Sequence, residues 1–139
     1  MERTRLAPTV GIVACLALVF VLTVPYGVVS TPGAVSAYYA AGAISPLFAG
    51  LFALVSVIVF AAGREGRSDP ALSAGAALVF GLFVLAFCLL WLAAGPSEVI
   101  LSLDESGVEW LQYHPYGVVL AALTVPASAA WYAGALGLV

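Results

Sequence analysis

Residues 71–94 read ALSAGAALVFGLFVLAFCLLWLAA, a stretch that contains no charged side chain. At 1.5 Å rise per residue, an α-helix of this length measures about 36 Å, more than the ~30 Å hydrocarbon core of a bilayer. Asp69 and Pro70 precede it, and an aspartate N-cap followed by proline at the first helical position is a common helix start. The sequence therefore predicts a membrane-spanning helix that begins at this cap and ends at Gly95-Pro96.

Three further apolar runs, 8–29, 37–62 and 116–138, are long enough to cross the same core. Hydrophobic residues make up 64% and charged residues 8% of the 139-residue chain, whereas soluble domains average about 45–50% and about 25%. The apolar segments of such a chain meet lipid instead of water. We therefore predict an all-α membrane protein, a four-transmembrane-helix bundle that forms a single integral membrane domain over 1–139.

The positions of the basic residues predict the orientation in the membrane. Arg3 and Arg5 precede the first run, and Arg64 and Arg67 join the second run to the third, so all four fall on one side of a four-span chain. Basic residues near span ends are retained in the cytoplasm. The sequence thus predicts a multi-pass protein of the cell membrane with cytoplasmic N- and C-termini. An alternative makes the first run a signal peptide cleaved after Ser30, although this run exceeds the usual core of roughly 7–15 residues.

The loop 95–115 lies outside the cell in this topology, and its four carboxylates are those of Glu98, Asp104, Glu105 and Glu109. Two runs rich in β-branched and aromatic residues flank Asp-Glu-Ser-Gly, a typical turn sequence, so 98–113 predicts a β-hairpin. An interfacial amphipathic helix is the alternative, with Gly107 as its weak point. The carboxylates and His114 match no metal motif, and an acidic loop is more often solvated or in contact with a partner than catalytic.

Small residues recur at every fourth position in three of the predicted spans. The rows are Ala41-Ser45-Ala49-Ala53, Ser73-Ala77-Gly81, Ala122-Pro126-Ala130-Gly134 and Ala129-Ala133-Gly137. Such rows let membrane helices approach each other closely. They predict tight packing within one bundle or, where a row stays free, association with a membrane-protein partner or with a second copy of the chain.

No predicted span contains Asp, Glu, Lys, Arg or His, the residue types that mark proton relays and ion pathways in membranes. Cys15 and Cys88 lie at different predicted depths and in no Cys-x-x-Cys pair, which argues against a disulfide between them and against thiol oxidoreductase activity. The four arginines form no basic patch for nucleic acid or anionic lipid along the sequence. We therefore expect no enzymatic activity, no cofactor or metal, and no nucleic-acid partner.

Arginine is the sole basic residue type, the segment 64–70 reads Arg-Glu-Gly-Arg-Ser-Asp-Pro, and the loop 95–115 is acidic. In these features the whole chain resembles small haloarchaeal four-span membrane proteins that form a domain of unknown function. The resemblance implies four spans in the cell membrane. It implies neither an activity nor functional residues.

These features together predict a non-enzymatic integral membrane protein, a scaffold or accessory subunit that associates through small-residue helix faces and an acidic outer loop. The alternative is a small oligomeric channel or transporter. Because the spans lack charges, its polar path would depend on hydroxyl groups, and the candidates are Thr23, Ser36, Ser45, Ser56 and Thr124. Membrane lipid is the expected surrounding partner in both cases.

Overall fold

The computed structural model describes residues 2–103 and 106–139, and the regular structure in these ranges is entirely helical. The helices are α1 (Arg3–Val28), α2 (Ala34–Tyr39), α3 (Pro46–Arg64), α4 (Pro70–Ala93), α5 (Ser97–Leu101), a 3-10 helix (Glu109–Tyr113) and α6 (His114–Ala135). The 3-10 helix runs directly into α6. The prediction of an all-α chain is therefore confirmed for the part of the chain that the structure describes.

Four helical segments are long and apolar enough to cross a membrane: α1, α3, α4 and the continuous segment Glu109–Ala135. Large apolar side chains are exposed along all four, including those of Phe20, Ile58, Leu82 and Leu120. Exposed apolar surface of this extent is typical of contact with lipid. Both features agree with the predicted multi-pass integral membrane protein.

The four long helices form a ring in which α1 packs on α3, α3 on α4, α4 on α6 and α6 on α1. Hydrogen bonds near the ends of these helices show how neighbouring helices are oriented relative to each other. Arg64 at the end of α3 donates from Nε to Thr9 Oγ1 near the start of α1, at 2.8 Å. Trp91 near the end of α4 donates from Nε1 to the Tyr38 carbonyl, which precedes α3, at 3.0 Å. Neighbouring helices therefore run antiparallel, as in an up-down-up-down bundle.

The turn between α3 and α4 lies at what we name the arginine end, the end of the bundle that carries Arg3, Arg5, Arg64 and Arg67. Gly66 follows α3 with a φ of 72°, a conformation that glycine adopts without steric cost after a helix. Asp69 then caps α4 by accepting from the Ala71 N–H at 3.4 Å, and Pro70 occupies the first helical position. This confirms the predicted start of the third apolar helix.

The predicted second run, 37–62, is divided between two helices. α2 ends at Tyr39, and α3 begins at Pro46 with Ser45 as its N-cap. The Ser45 hydroxyl accepts from the Leu47 N–H at 3.2 Å. The helix is interrupted because proline lacks an N–H and disfavours helical backbone angles in the residue before it. Tyr39 consequently lies in a short separate helix and not in the long apolar one.

The predicted β-hairpin over 98–113 is wrong for the residues that the structure describes, which form α5 and the 3-10 helix. The centre of the predicted turn, Asp104 and Glu105, lies outside the described residues. The segment is helical because it contributes to the core. Ile100 packs into the apolar core of the bundle and is 3% exposed, whereas its neighbour Leu101 is 58% exposed. An isolated two-stranded hairpin would bury little. The alternative, an interfacial helix, is closer to the structure, because the described residues are helical. This helix is not continuous: Gly107, its predicted weak point, has a φ of 85° and lies outside both helical pieces.

Small residues allow the close approach of the long helices. A Cβ added at Gly81 on α4 would lie 2.8 Å from the backbone nitrogen of Pro126 on α6. The predicted small-residue rows mostly face inward, and their buried members include Ala49, Ala53, Ser73, Ala77, Ala122, Ala129 and Ala133. The rows therefore serve packing within the bundle. Cys15 and Cys88 are free thiols, and both are buried.

Candidate functional site

α1 contains a gap in its hydrogen-bond ladder near what we name the loop end, the end of the bundle that carries α2, α5 and the 3-10 helix. Pro25 lies within α1, and because proline has no N–H, the Val21 carbonyl four residues earlier loses its usual helical donor. His114 Nε2 lies 2.7 Å from this carbonyl oxygen. The first residue of α6 thus supplies a hydrogen bond that α1 cannot make by itself.

The bond to Val21 defines where the His114 ring carries its proton. A carbonyl oxygen only accepts, so Nε2 is the donor, and in the neutral ring Nδ1 is then the acceptor. Nδ1 lies 2.7 Å from the Tyr38 hydroxyl, which therefore donates to it. Burial raises the pKa of Tyr38 above its usual range, with a smaller contribution from the neighbouring Tyr39. Tyr38 consequently keeps its proton and remains a donor.

Two more aromatic residues complete what we name the aromatic–histidine cluster: Tyr38, Tyr39, Trp91 and His114. The Tyr39 hydroxyl donates to the Leu22 carbonyl in α1, and Trp91 Nε1 donates to the Tyr38 carbonyl at 3.0 Å. The Tyr38 and Trp91 rings meet edge to face, with centroids 5.0 Å apart and an interplanar angle of 77°, a favourable aromatic geometry. All four side chains are buried.

The segment between α4 and α6 closes the loop end of the bundle. α5 packs against α2 and against the 3-10 helix, and Ser97 Oγ joins the two helical pieces by donating to the Gln112 carbonyl at 2.6 Å. Ile100, Val108 and Leu111 are buried and belong to the same apolar core as the cluster. The cluster therefore lies beneath a folded covering layer and not beneath open loops.

The acidic side chains of this segment do not gather into a ligand set among the described residues. Glu98 is exposed, Glu109 accepts a nearby backbone N–H at 3.1 Å, and Asp104 and Glu105 lie outside the described residues. In the described part of the chain, no three His, Cys, Asp or Glu side chains lie close enough to hold a metal ion. His114 turns into the bundle, where both ring nitrogens are hydrogen-bonded.

The hydroxyl groups that could line a polar path are used in local hydrogen bonds or lie at the surface. Thr23, Ser56 and Thr124 each donate to a backbone carbonyl three or four residues earlier, at 2.7, 2.8 and 2.6 Å. Ser45 caps α3, and Ser36 is exposed in α2. Of the five, only Ser56 is buried. No row of these hydroxyls therefore lines the inside of a single bundle.

The cluster ties four elements together, because its hydrogen bonds and ring contacts join α1, α2, α4 and α6. In the described part of the chain, every fully enclosed side-chain nitrogen or oxygen has a partner. An arrangement in which both His114 nitrogens and both tyrosine hydroxyls are engaged fastens helices to each other.

In the sequence, His114 stands just before the last apolar run, and Tyr38 and Tyr39 stand at the start of the second run. The sequence analysis did not bring these residues together. The signal that could have found the contact is Pro25. Its missing N–H leaves a carbonyl without a donor inside an apolar bundle, and backbone groups there need a partner. The chain has one histidine, at the start of a span on the same side of the membrane, and this makes His114 the natural donor.

A family of unknown function, DUF7548, matches residues 1–137. No curated protein and no solved structure matches the chain. The family match covers nearly all of the 139 residues, including every helix of the bundle and the aromatic–histidine cluster. The chain therefore belongs to the DUF7548 family, whose function is unknown.

Proposed function

We propose that this protein is a non-enzymatic scaffold or accessory subunit of the cell membrane, which acts by associating with another membrane protein. The observation that carries the proposal is the engagement of its buried polar side chains. Those of the aromatic–histidine cluster bond to one another or to backbone carbonyls. Such bonds hold helices in place and leave none of the cluster's groups free to act on a substrate. The expectation of no cofactor and no nucleic-acid partner belongs to the same proposal.

One face of α6 supports association through helix contacts. Many small residues of the bundle are buried between its own helices, whereas Ala127, Ala130 and Gly134 are exposed on α6. Exposed small residues let a second membrane helix approach closely. The exposed carboxylates of Glu98 and Glu109 offer a polar contact at the loop end. A partner could therefore meet the protein both within the bilayer and at its surface.

The association is tested by the mass and composition of the particle extracted from its native membrane in mild detergent, using a tag at the C-terminus. We expect a defined complex with a second membrane protein. Ala130→Phe is expected to release the partner, because the larger side chain fills the exposed face of α6. Ala86→Phe, at an exposed alanine of α4, is the matched control and is expected to retain it.

Two other results of this experiment would contradict the accessory role. A lone homo-oligomer would favour the alternative, a small oligomeric channel or transporter with its path between copies, and ion or solute flux in reconstituted vesicles would be the next measurement. A lone monomer would contradict both association and the oligomeric channel. If the Ala130→Phe variant retained the partner, the interface would have to lie on a surface other than this face of α6.

We further propose that both termini lie in the cytoplasm. The support is that all four arginines lie at the arginine end, and basic residues near span ends are retained inside. Origin in a halophilic archaeon, indicated by the lysine-free composition and the acidic loop end, belongs to this proposal as well. In such a cell, we propose that the protein lies in the cell membrane.

Single cysteines at Ser106 and Val139 test the orientation. Both positions are exposed, whereas the native Cys15 and Cys88 are buried, so the unmodified chain gives the background. We expect a membrane-impermeant maleimide to label Ser106→Cys in intact cells and Val139→Cys only after lysis. The reverse pattern would contradict the proposed orientation.

A further inference from the structure

An open cavity of about 330 Å³ lies at the arginine end of the bundle. We name it the arginine groove, and its lining includes Thr4, Arg5, Gly63, Arg64, Gly66 and Tyr132. Arg5 belongs to α1 and Arg64 to α3, so folding brings two arginines that are far apart along the chain to the lining of one groove. The sequence alone predicted no basic patch for an anionic lipid, and the fold creates one.

The Arg64 side chain is held at the groove by its neighbours. Nε donates to Thr9 Oγ1 at 2.8 Å, and Nη1 forms an ion pair with Glu65. In the part of the chain that the structure describes, Nη2 of Arg64 makes no hydrogen bond and Arg5 makes no ion pair. Guanidinium groups with unused N–H donors are well suited to bind phosphate oxygens.

Tyr132 supplies a further hydrogen-bond donor to the groove. Its side chain is 1% exposed, and its hydroxyl lies beside Gly63, where an added Cβ would come within 2.7 Å of it. Among residues 2–103 and 106–139 the hydroxyl has no hydrogen-bond partner, although every fully enclosed polar side-chain atom there has one. The hydroxyl therefore opens into the groove that Tyr132 lines. Its O–H can therefore donate to a molecule that enters the groove.

We propose that the arginine groove binds the phosphate of an anionic membrane phospholipid, with Arg5 and Arg64 pairing with the phosphate and the Tyr132 hydroxyl donating to it. The position of the groove favours a lipid over free phosphate. It lies where α1 begins and α3 ends, and these helices expose Val10 and Ile58, apolar side chains against which acyl chains can pack. The inference rests on the membrane location and is independent of the proposed accessory role.

The test is thermal unfolding of the full chain, purified in detergent, during titration with phosphatidylglycerol. We expect phosphatidylglycerol to raise the unfolding temperature, while phosphatidylcholine with the same acyl chains and inorganic phosphate leave it unchanged. Equal stabilisation by both lipids would overturn the proposal. Stabilisation by inorganic phosphate at the same concentrations would assign the groove to a free anion instead.

Three variants separate the groove from general attraction between charges. Arg5→Gln is expected to weaken phosphatidylglycerol binding about fivefold, and Tyr132→Phe, which removes only the hydroxyl, to weaken it several-fold. Arg67→Gln makes the same charge change at an exposed arginine outside the groove lining and is expected to bind normally. An equal loss for Arg67→Gln, or unchanged binding in both groove variants, would overturn the proposal.

Discussion

Replacing His114 with alanine is expected to lower the free energy of unfolding by about 2–4 kcal/mol, since a buried polar group left without its partner costs about 1–3 kcal/mol. The substitution removes two hydrogen bonds of 2.7 Å at once and leaves the Val21 carbonyl and the Tyr38 hydroxyl without their partners. Unfolding in mixed micelles with increasing SDS, followed by circular dichroism, measures the change. Tyr113→Ala, at the neighbouring side chain that is 66% exposed, is the control and is expected to change stability little.

A double-mutant cycle with Pro25→Ala distinguishes the lost hydrogen bond from a general loss of packing. Alanine at position 25 restores the N–H that proline lacks, so the Val21 carbonyl regains a helical donor. We therefore expect His114→Ala to cost about 1 kcal/mol less in the Pro25→Ala background than in the original chain. Equal costs in the two backgrounds would contradict the role that we assign to the contact between His114 and Val21.

Gly81→Leu is expected to have the second large effect, a destabilisation of about 3 kcal/mol or a failure to assemble, because overpacking a close helix contact forces the backbone to move. A Cβ at position 81 would lie 2.8 Å from N and 2.9 Å from Cα of Pro126. These are backbone atoms inside α6, so they cannot turn away as a flexible side chain could. The contact between α4 and α6 would have to open.

Gly75→Leu is the matched control on the same helix. A Cβ there meets nothing within 4 Å, and leucine is favoured over glycine in helices by up to about 1 kcal/mol. The yield of monodisperse protein and its unfolding temperature in one detergent compare the two variants. We expect Gly75→Leu to match or exceed the original chain, and unfolding temperatures that are alike for both variants would contradict the close approach of Gly81 to Pro126.

The four apolar helices were predictable because every span must satisfy the same requirement, a stretch of apolar residues about as long as the ~30 Å hydrocarbon core. The start of α4 was predictable because it depends on adjacent residues alone: Asp69 is the N-cap, and Pro70 occupies the first helical position. The same reasoning could have divided the second run, because Ser45 and Pro46 repeat the pattern of a capping residue followed by proline. Hydropathy alone hid this boundary, since apolar residues lie on both sides of it.

The loop end was not predictable from local pattern, because its structure depends on contacts that are distant in sequence. The β-branched content of 98–113 favours strands, but Ile100 and Leu111 are buried in the core of the bundle. His114 looked like a member of an acidic loop, because its partner Val21 lies 93 residues earlier in the chain. The arginine groove escaped sequence reasoning for the same reason, since its two arginines come from different helices.

The contact between α1 and α6 also bears on the order in which the chain is made. The carbonyl left free by Pro25 enters the membrane with the first helix, and its donor, His114, is synthesised 93 residues after Val21. Until then, that carbonyl depends on water or on another component near the bilayer surface, because none of the hydrocarbon can bond to it. Assembly of these helices therefore has a defined order: α1 gains this hydrogen bond only after α6 has been synthesised, and a nascent chain halted before α6 still lacks the donor to the Val21 carbonyl.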